Sequence, residues 1–284
     1  MNRMTSKTNN KPLRPVDELA SFVKANQPLF VLTGAGCSTA SGLADYRDQS
    51  GQWKRPQPIT LAAFTGDLQA RKRYWMRSTA GWPVFSAAQP NAAHNVLARL
   101  EKRGYLQQLV TQNVDGLHQS AGHKKVIDLH GQLSTVSCLS CAQTQTRKKF
   151  QQQLLECNPQ ITLKTLEYAP DGDAEIAQIN TNSFHIPECN CGGIIKPDVV
   201  FFGENVPRQR VSDAMAQLQH AAGVLVAGSS LMVYSGFRFC RRAEELHLPI
   251  ASLTLGVTRA DSFLTLNVQG ECTTVLTELD RLLP

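Results

Sequence analysis

Pro28-Leu29-Phe30-Val31-Leu32-Thr33-Gly34-Ala35-Gly36-Cys37-Ser38 reads as a short apolar strand running straight into a glycine turn. The apolar run is too short for a core helix and is closed by glycine, which marks the entry to an α/β unit. In such a unit the small residues Gly34, Ala35 and Gly36 let a ligand approach the backbone, and a helix starting near Ser38 would aim its N–H groups at a phosphate. Strand-like runs recur at Leu106–Thr111, Val126–His130, Val199–Phe202, Val224–Gly228, Ile250–Leu255 and Leu264–Val268. Helical spacing lies between them. Leu19, Phe22 and Val23 form one stripe, and Ala93, Val96, Leu97 and Leu100 form another that Asn91 caps and Gly104 ends. Val211, Met215 and Leu218 mark a further helix, as do Arg238–His247 and Thr273–Leu283. Short apolar strands alternating with helices specify an α/β fold, a Rossmann-like parallel sheet with helices on both faces.

The chain has 284 residues, 42 % hydrophobic and 18 % charged, which excludes disordered and collagen-like classes. No apolar run reaches the length of about 18 residues that a membrane span needs, and the stretch Val224 to Val233 is broken by Gly228, Ser229 and Ser230. The net charge of +6 is spread along the chain without a Lys/Arg block, so neither a nucleic-acid nor a membrane partner is expected. The eight cysteines follow no secretory pattern, and a reduced, cytoplasmic chain is the expectation. Residues 1–14 carry Arg3, Lys7, Lys11 and Arg14 with no acid and no apolar face, and read as a flexible leader. The alternation of strands and helices breaks at 134–196, bracketed by cysteine pairs. This divides the chain into a nucleotide-binding domain of 15–133 and 197–284 and a small module of 134–196. The stretch Asp45 to Gly66 is polar and punctuated by Pro and Gly, the mark of a long functional loop.

The glycine turn alone does not make a dehydrogenase. The third glycine of a G-x-G-x-x-G fingerprint is replaced by Thr39, and the acids between Gly36 and Leu100 are Asp45, Asp48 and Asp67, none closing an apolar strand. A tight turn without a ligand is the alternative for the turn taken by itself. Among seven histidines, His130 stands out because it ends a strand on the ligand-binding edge and precedes Gly131. An imidazole with a pKa of about 6.5 suits removal of a hydroxyl proton near neutral pH. His94 beside a helical stripe and His118 in a polar loop read as structural. Cys138-x-x-Cys141 and Cys189-x-Cys191 could converge as four thiolates on a tetrahedral structural zinc, with four unbound thiols as the alternative. Cys157 and Cys240 read as buried apolar positions.

Several stretches together widen the reading: Ser38 to Arg47, Thr111-Gln112-Asn113-Val114-Asp115-Gly116-Leu117-His118, Asp128-Leu129-His130-Gly131, the two cysteine pairs, Lys196 to Glu204, and Gly228-Ser229-Ser230-Leu231. In order and content they resemble the sirtuin (Sir2) family. Arg71 to Trp75, Gly81-Trp82-Pro83 and Ala169-Pro170-Asp171-Gly172-Asp173 resemble its class II, sirtuin 4-like subgroup.

The resemblance implies an NAD-dependent protein lysine deacylase, with acetyl as the default acyl group, releasing nicotinamide and O-acyl-ADP-ribose. It implies NAD as co-substrate, one structural zinc and an acylated lysine of a protein as partner. His130 would be the general base on the ribose, and Asn113 a second catalytic position that holds nicotinamide together with Asp115. Gln112 would bind the nicotinamide ribose. Gly34, Ala35, Gly36 and Ser38, with Asp45 and Arg47 on the covering loop, would take the diphosphate side. Gly228, Ser229, Ser230, Thr254 and Cys272 would meet the adenosine half. Thr254 stands where the family has Asn, and Tyr46 where many members have Phe. An acyl-lysine peptide would add along Val199–Glu204 as an extra strand. Tyr74 and Arg77 repeat the spacing of a desuccinylase pair, but with Arg71 and Arg73 beside them, so succinyl is not the acyl group expected. Transfer of ADP-ribose to protein, and an NAD sensor without turnover, are the alternative activities.

Overall fold

The computed structural model describes residues 14–54, 57–159 and 181–284, together with the backbone of 165–168 and 174–176. Most of the leader and the 169–173 motif lie outside the described residues. In chain order the elements are α1 (Pro15–Ala25), β1 (Leu29–Thr33), α2 (Leu61–Gly66), α3 (Leu68–Ala87), α4 (Ala92–Lys102), β2 (Leu106–Thr111), α5 (Leu117–Ser120) and β3 (Val126–Asp128). Then follow β4 (Gly131–Cys138), β5 (Thr144–Thr146), α6 (Arg147–Glu156), β6 (Thr165–Tyr168), β7 (Ala174–Ile176) and β8 (Ile195–Val199). The chain closes with α7 (Arg208–Leu218), β9 (Gly223–Ala227), α8 (Tyr234–Glu245), β10 (Ile250–Thr254), β11 (Leu266–Gln269) and α9 (Cys272–Leu282). Among the described residues, no helix is long and apolar enough to cross a membrane.

Six strands form one parallel sheet in the order β11-β10-β9-β1-β2-β3. Side chains alternate across it. Leu29 and Val31 join a core with α1, α4 and α9 on one face, while Phe30 and Leu32 join a core with α7 and α8 on the other. Burying side chains of this size contributes about 1.5–3 kcal/mol each. The strand order reverses between β1 and β9, and in open α/β sheets the ligand crevice opens beyond the strand ends at that point. Asn91 caps α4 as expected, accepting from the backbone N–H groups of Ala93 and His94.

A second, antiparallel sheet has the order β5-β4-β8, and the backbone of β6 pairs with β7. Its core joins Leu133, Val136, Phe150 and Leu154 to Phe64 of α2 and to Tyr74, Trp75 and Phe85 of α3. Helix α3 tolerates Pro83 in its interior. The Thr79 carbonyl, which Pro83 cannot bond, accepts instead from the Gln151 side chain of α6 at 2.9 Å.

Four local expectations are corrected. No α-helix begins near Ser38; two 3₁₀ turns, Ala35–Cys37 and Thr39–Ser41, take its place. The N–H groups of Gly36, Cys37 and Ser38 bond to carbonyls of Gly228, Gly34 and Ala35, so the turn offers close approach more than a row of donors. The run Val199–Phe202 is not a sheet strand: β8 ends at Val199, and Phe202 makes an isolated bridge to Thr60. The stretch Asp45–Gly66 is not all loop, because α2 begins at Leu61 under a Thr60 cap. Cys240 is buried, but Cys157 is exposed.

Candidate active site

A cleft of about 950 Å³ opens at the β1/β9 switch point. Its walls include every residue expected to bind NAD or act on it: Gly34, Ala35, Gly36 and Ser38; Asp45 and Arg47; Gln112, Asn113 and Asp115; His130; Gly228, Ser229 and Ser230; and Thr254 and Cys272. They arrive at the C-terminal ends of β1, β2, β3, β9, β10 and β11, Thr254 as the last residue of β10 and Cys272 as the first of α9. The floor is built from small residues. A Cβ on Gly34 would lie 2.7 Å from the Ser229 Cβ, and one on Gly36 would lie 3.0 Å from the Gly228 Cα. Gly228 itself has φ +64°, and its Cβ would lie 2.4 Å from the Cys37 nitrogen. This close-packed glycine cradle fits a dinucleotide backbone and would be filled by any side chain.

Ser38 organises the polar centre. Its hydroxyl donates to Asp115 Oδ2 at 2.7 Å and accepts from Asn113 Nδ2 at 3.0 Å. Asn113 Nδ2 also donates to the Gly34 carbonyl at 3.1 Å, which spends the amine and turns the amide oxygen into the acceptor available to a ligand. The Leu117 N–H donates to Asp115 Oδ1. Burial nevertheless raises the Asp115 pKa above the usual carboxylate value, against the hydrogen bonds that lower it. Gln112 Nε2 donates to Ser229 Oγ at 2.7 Å and so ties the end of β2 to the end of β9.

His130 sits just past β3. Its Nδ1 is 2.9 Å from the Gln112 carbonyl, and its Nε2 is 2.7 Å from Ser235 Oγ. A carbonyl can only accept, so Nδ1 carries the proton and Nε2 presents a lone pair. Burial holds its pKa down at about 4, with the cations Arg210 and Arg238 pushing the same way and the Gln112 bond opposing. The ring is therefore a neutral base at pH 7. His94 and His118 lie behind Ser38 and do not line the cleft. His94 completes the α4 capping box, and His118 Nε2 contacts Thr33 Oγ1 at 2.9 Å.

The covering loop is folded on itself. Arg47 stacks on Trp53 at 3.9 Å from the ring centroid and donates to the Gly51 carbonyl, while Asp45 pairs with Lys54 at 2.5 Å. The Gln49 carbonyl accepts from the Val257 N–H, which closes the loop against the end of β10. Tyr74, whose spacing to Arg77 the sequence offered as an acyl-binding pair, lines the cleft, and so do residues the motifs did not mark as site residues, among them Trp53, Ser235 and Arg238. Ser235 lies in the continuation of the Gly228-Ser229-Ser230 signal, five residues past Ser230, where only tertiary structure turns it toward the histidine.

The sulfurs of Cys138, Cys141, Cys189 and Cys191 lie within 4.8 Å of one another. Cys138 and Cys191 are 3.5 Å apart, and Cys141 and Cys189 are 3.6 Å apart. Zinc–sulfur bonds of about 2.3 Å give tetrahedral edges near 3.8 Å, whereas a disulfide needs about 2.05 Å. The set fits a structural zinc. The N–H groups of Cys141 and Ser140 lower the Cys138 thiol to about 6, toward the thiolate that a metal requires. The one-residue Cys189–Cys191 spacing works because two glycines follow. Gly192 adopts φ +76°, and Gly193 lies where a Cβ would come within 2.5 Å of the Cys138 sulfur.

A family model described as Sir2 family matches residues 34–235. The chain is 56 % identical over 259 residues to an NAD-dependent protein deacetylase of Xanthomonas axonopodis pv. citri, spanning 91 % of this chain and 88 % of the relative. It is 42 % identical over 268 residues to the NAD-dependent protein deacylase Sirt4 of Drosophila melanogaster, spanning 93 % and 86 %. A solved structure described as "Sir2-p53 peptide-NAD+" matches with a TM-score of 0.71 at 26 % identity, over 94 % of this chain and 97 % of that one.

Proposed function

Because the chain belongs to the Sir2 family and is an NAD-dependent protein lysine deacylase, we propose that His130 is its general base and that the glycine-floored cleft holds NAD against an acylated lysine. The observation that carries this reading is the half-buried, neutral His130 ring, whose Nδ1 is committed to the Gln112 carbonyl and whose Nε2 is thereby an acceptor. When bound, NAD supplies the electrophilic sugar carbon that takes the amide oxygen of the acyl-lysine as nicotinamide leaves.

The side chains around that carbon have distinct tasks. Asn113 and Asp115, braced by Ser38, hold the nicotinamide amide and keep it clear of the attacking oxygen. Gln112 positions the neighbouring ribose. His130 Nε2 then takes the proton of a ribose hydroxyl, and the ribose oxygen becomes the acyl acceptor. Gly34, Ala35, Gly36 and Ser38 admit the diphosphate, with Arg47 supplying positive charge from the loop. Gly228, Ser229, Ser230, Thr254 and Cys272 accommodate adenosine. A threonine in place of asparagine at 254 gives a shorter reach to the sugar. The acylated substrate enters beside Phe202, Gly203 and Glu204, which line the same cleft, and acetyl is the acyl group proposed.

The test is mass spectrometry of the products formed from NAD and an acetyl-lysine peptide. Nicotinamide, free lysine peptide and O-acetyl-ADP-ribose are expected, and His130→Ala should lose the deacylated product. A covalently ADP-ribosylated protein in place of the acyl ester would overturn the reading in favour of transfer. Absence of nicotinamide release with every acyl peptide would leave an NAD sensor.

A further inference from the structure

The lone pair that makes His130 a base is not directed at open space. Ser235 Oγ stands 2.7 Å from Nε2 and makes no other hydrogen bond among the described residues. Since Nδ1–H is given to Gln112, the serine hydroxyl must be the donor in this contact. Ser235 is buried in the first turn of α8. The next residue, Gly236, brings that turn against the same glutamine, because a Cβ there would lie 2.5 Å from Gln112 Oε1. Gln112, His130 and α8 thus form a closed circuit: the glutamine carbonyl fixes one ring nitrogen, the helix start supplies the hydroxyl for the other, and the glutamine side chain packs on the helix. The charged groups acting on the ring from the elements packed around it are Arg210 of α7, which faces Asp198 at 3.7 Å, and Arg238 of α8.

We propose that Ser235 is the positioning residue of the base: its hydroxyl holds His130 Nε2 as an oriented acceptor, and the ribose hydroxyl takes its place there when the substrates are bound. A hydroxyl suits this exchange because it can reverse its role. In the transfer the ribose O–H bond breaks, its proton goes to Nε2, and its electron pair stays on the ribose oxygen that attacks the acyl carbon. The imidazolium N–H so formed can donate to Ser235 Oγ until the proton leaves to solvent. The proposal rests on His130 being the base.

Because a donor to the lone pair favours the neutral ring, removing it raises the proton affinity of the ring. Ser235→Ala should lower the deacylation rate about tenfold and move the acid limb of its pH profile upward by about one unit. Nicotinamide exchange precedes the base step and should change by less than about twofold. Ser235→Thr keeps the donor and should restore both rate and acid limb. An unmoved acid limb with wild-type deacylation in Ser235→Ala would overturn the proposal. So would parallel loss of exchange and deacylation that threonine does not restore, since that pattern belongs to damaged packing. His130→Ala, measured alongside, tests the premise separately: deacylation retained there overturns the assignment of the base itself.

Discussion

Lowering the pH from 7 to 5 should cost the folded chain about 2 kcal/mol through His130 alone, and replacing that histidine should remove this share of the pH dependence. The ring has a pKa of about 4 in the folded chain against an ordinary value of 6.5. The unfolded chain therefore takes up the proton first, and stability falls as the pH drops below 6.5 until the folded pKa is reached. Integrating the difference in bound protons between pH 7 and pH 5 gives about 2 kcal/mol of the roughly 3.4 kcal/mol that the whole interval between the two pKa values allows. The comparison is urea unfolding of wild type and His130→Gln at the two pH values, followed by far-ultraviolet circular dichroism. The glutamine keeps a polar side chain and cannot titrate. With m-values of about 1–3 kcal/mol per molar urea, the wild-type midpoint should fall by about 1 M more than that of the variant. His94, also held near 4 by burial, contributes to both proteins and cancels. Parallel loss of midpoint in the two proteins would mean that His130 protonates in the folded state as readily as in the unfolded one, and the neutral-base argument would fail.

Gly228→Ala should raise the KM for NAD about tenfold, because the left-handed backbone at φ +64° disfavours a side chain by about 1–2 kcal/mol and the new Cβ meets the Cys37 nitrogen; steady-state kinetics at saturating peptide measure it. Gly193→Ala places a methyl group against the Cys138 sulfur, so metal analysis of the purified variant should find well under one zinc per chain while the wild type carries one. Gln151→Ala leaves the Thr79 carbonyl beside Pro83 without its buried partner, a loss of about 1–3 kcal/mol that denaturant titration should register, with NAD affinity unchanged.

The large sheet was legible because its signals are local. Leu29 to Thr33 is apolar on both faces and ends in glycine, and Asn91 and Gly104 bracket α4 as their chemistry requires. The cysteine module was less so. Helix α3 has no legible stripe, because Tyr74, Trp75 and Met76 are buried in succession, and Gly81 and Pro83 within it disfavour a helix. Only the tertiary contact from Gln151 shows why the helix continues. The Val199–Phe202 segment looked like a strand because Val and Phe favour extended backbone; its termination is set from outside, by Leu61 donating to the Phe202 carbonyl and by the Glu204 side chain accepting from Phe201 N–H. The site residues came from motifs, but Ser235 could not, since its partner lies 105 positions away.

His130 owes its fixed position to the way the two sheets are joined. With Leu129 it forms the two-residue link between β3 of the parallel sheet and β4 of the antiparallel one, and it is the last residue before β4. Gly131 follows at φ +82°, where a Cβ would collide with the Asp198 carbonyl oxygen, so only glycine lets the chain cross from one sheet to the other directly after the imidazole. The return crossing is bonded to the same residue, because the Val200 N–H donates to the His130 carbonyl at 2.8 Å. Both connections between the two sheets therefore meet at the proposed base.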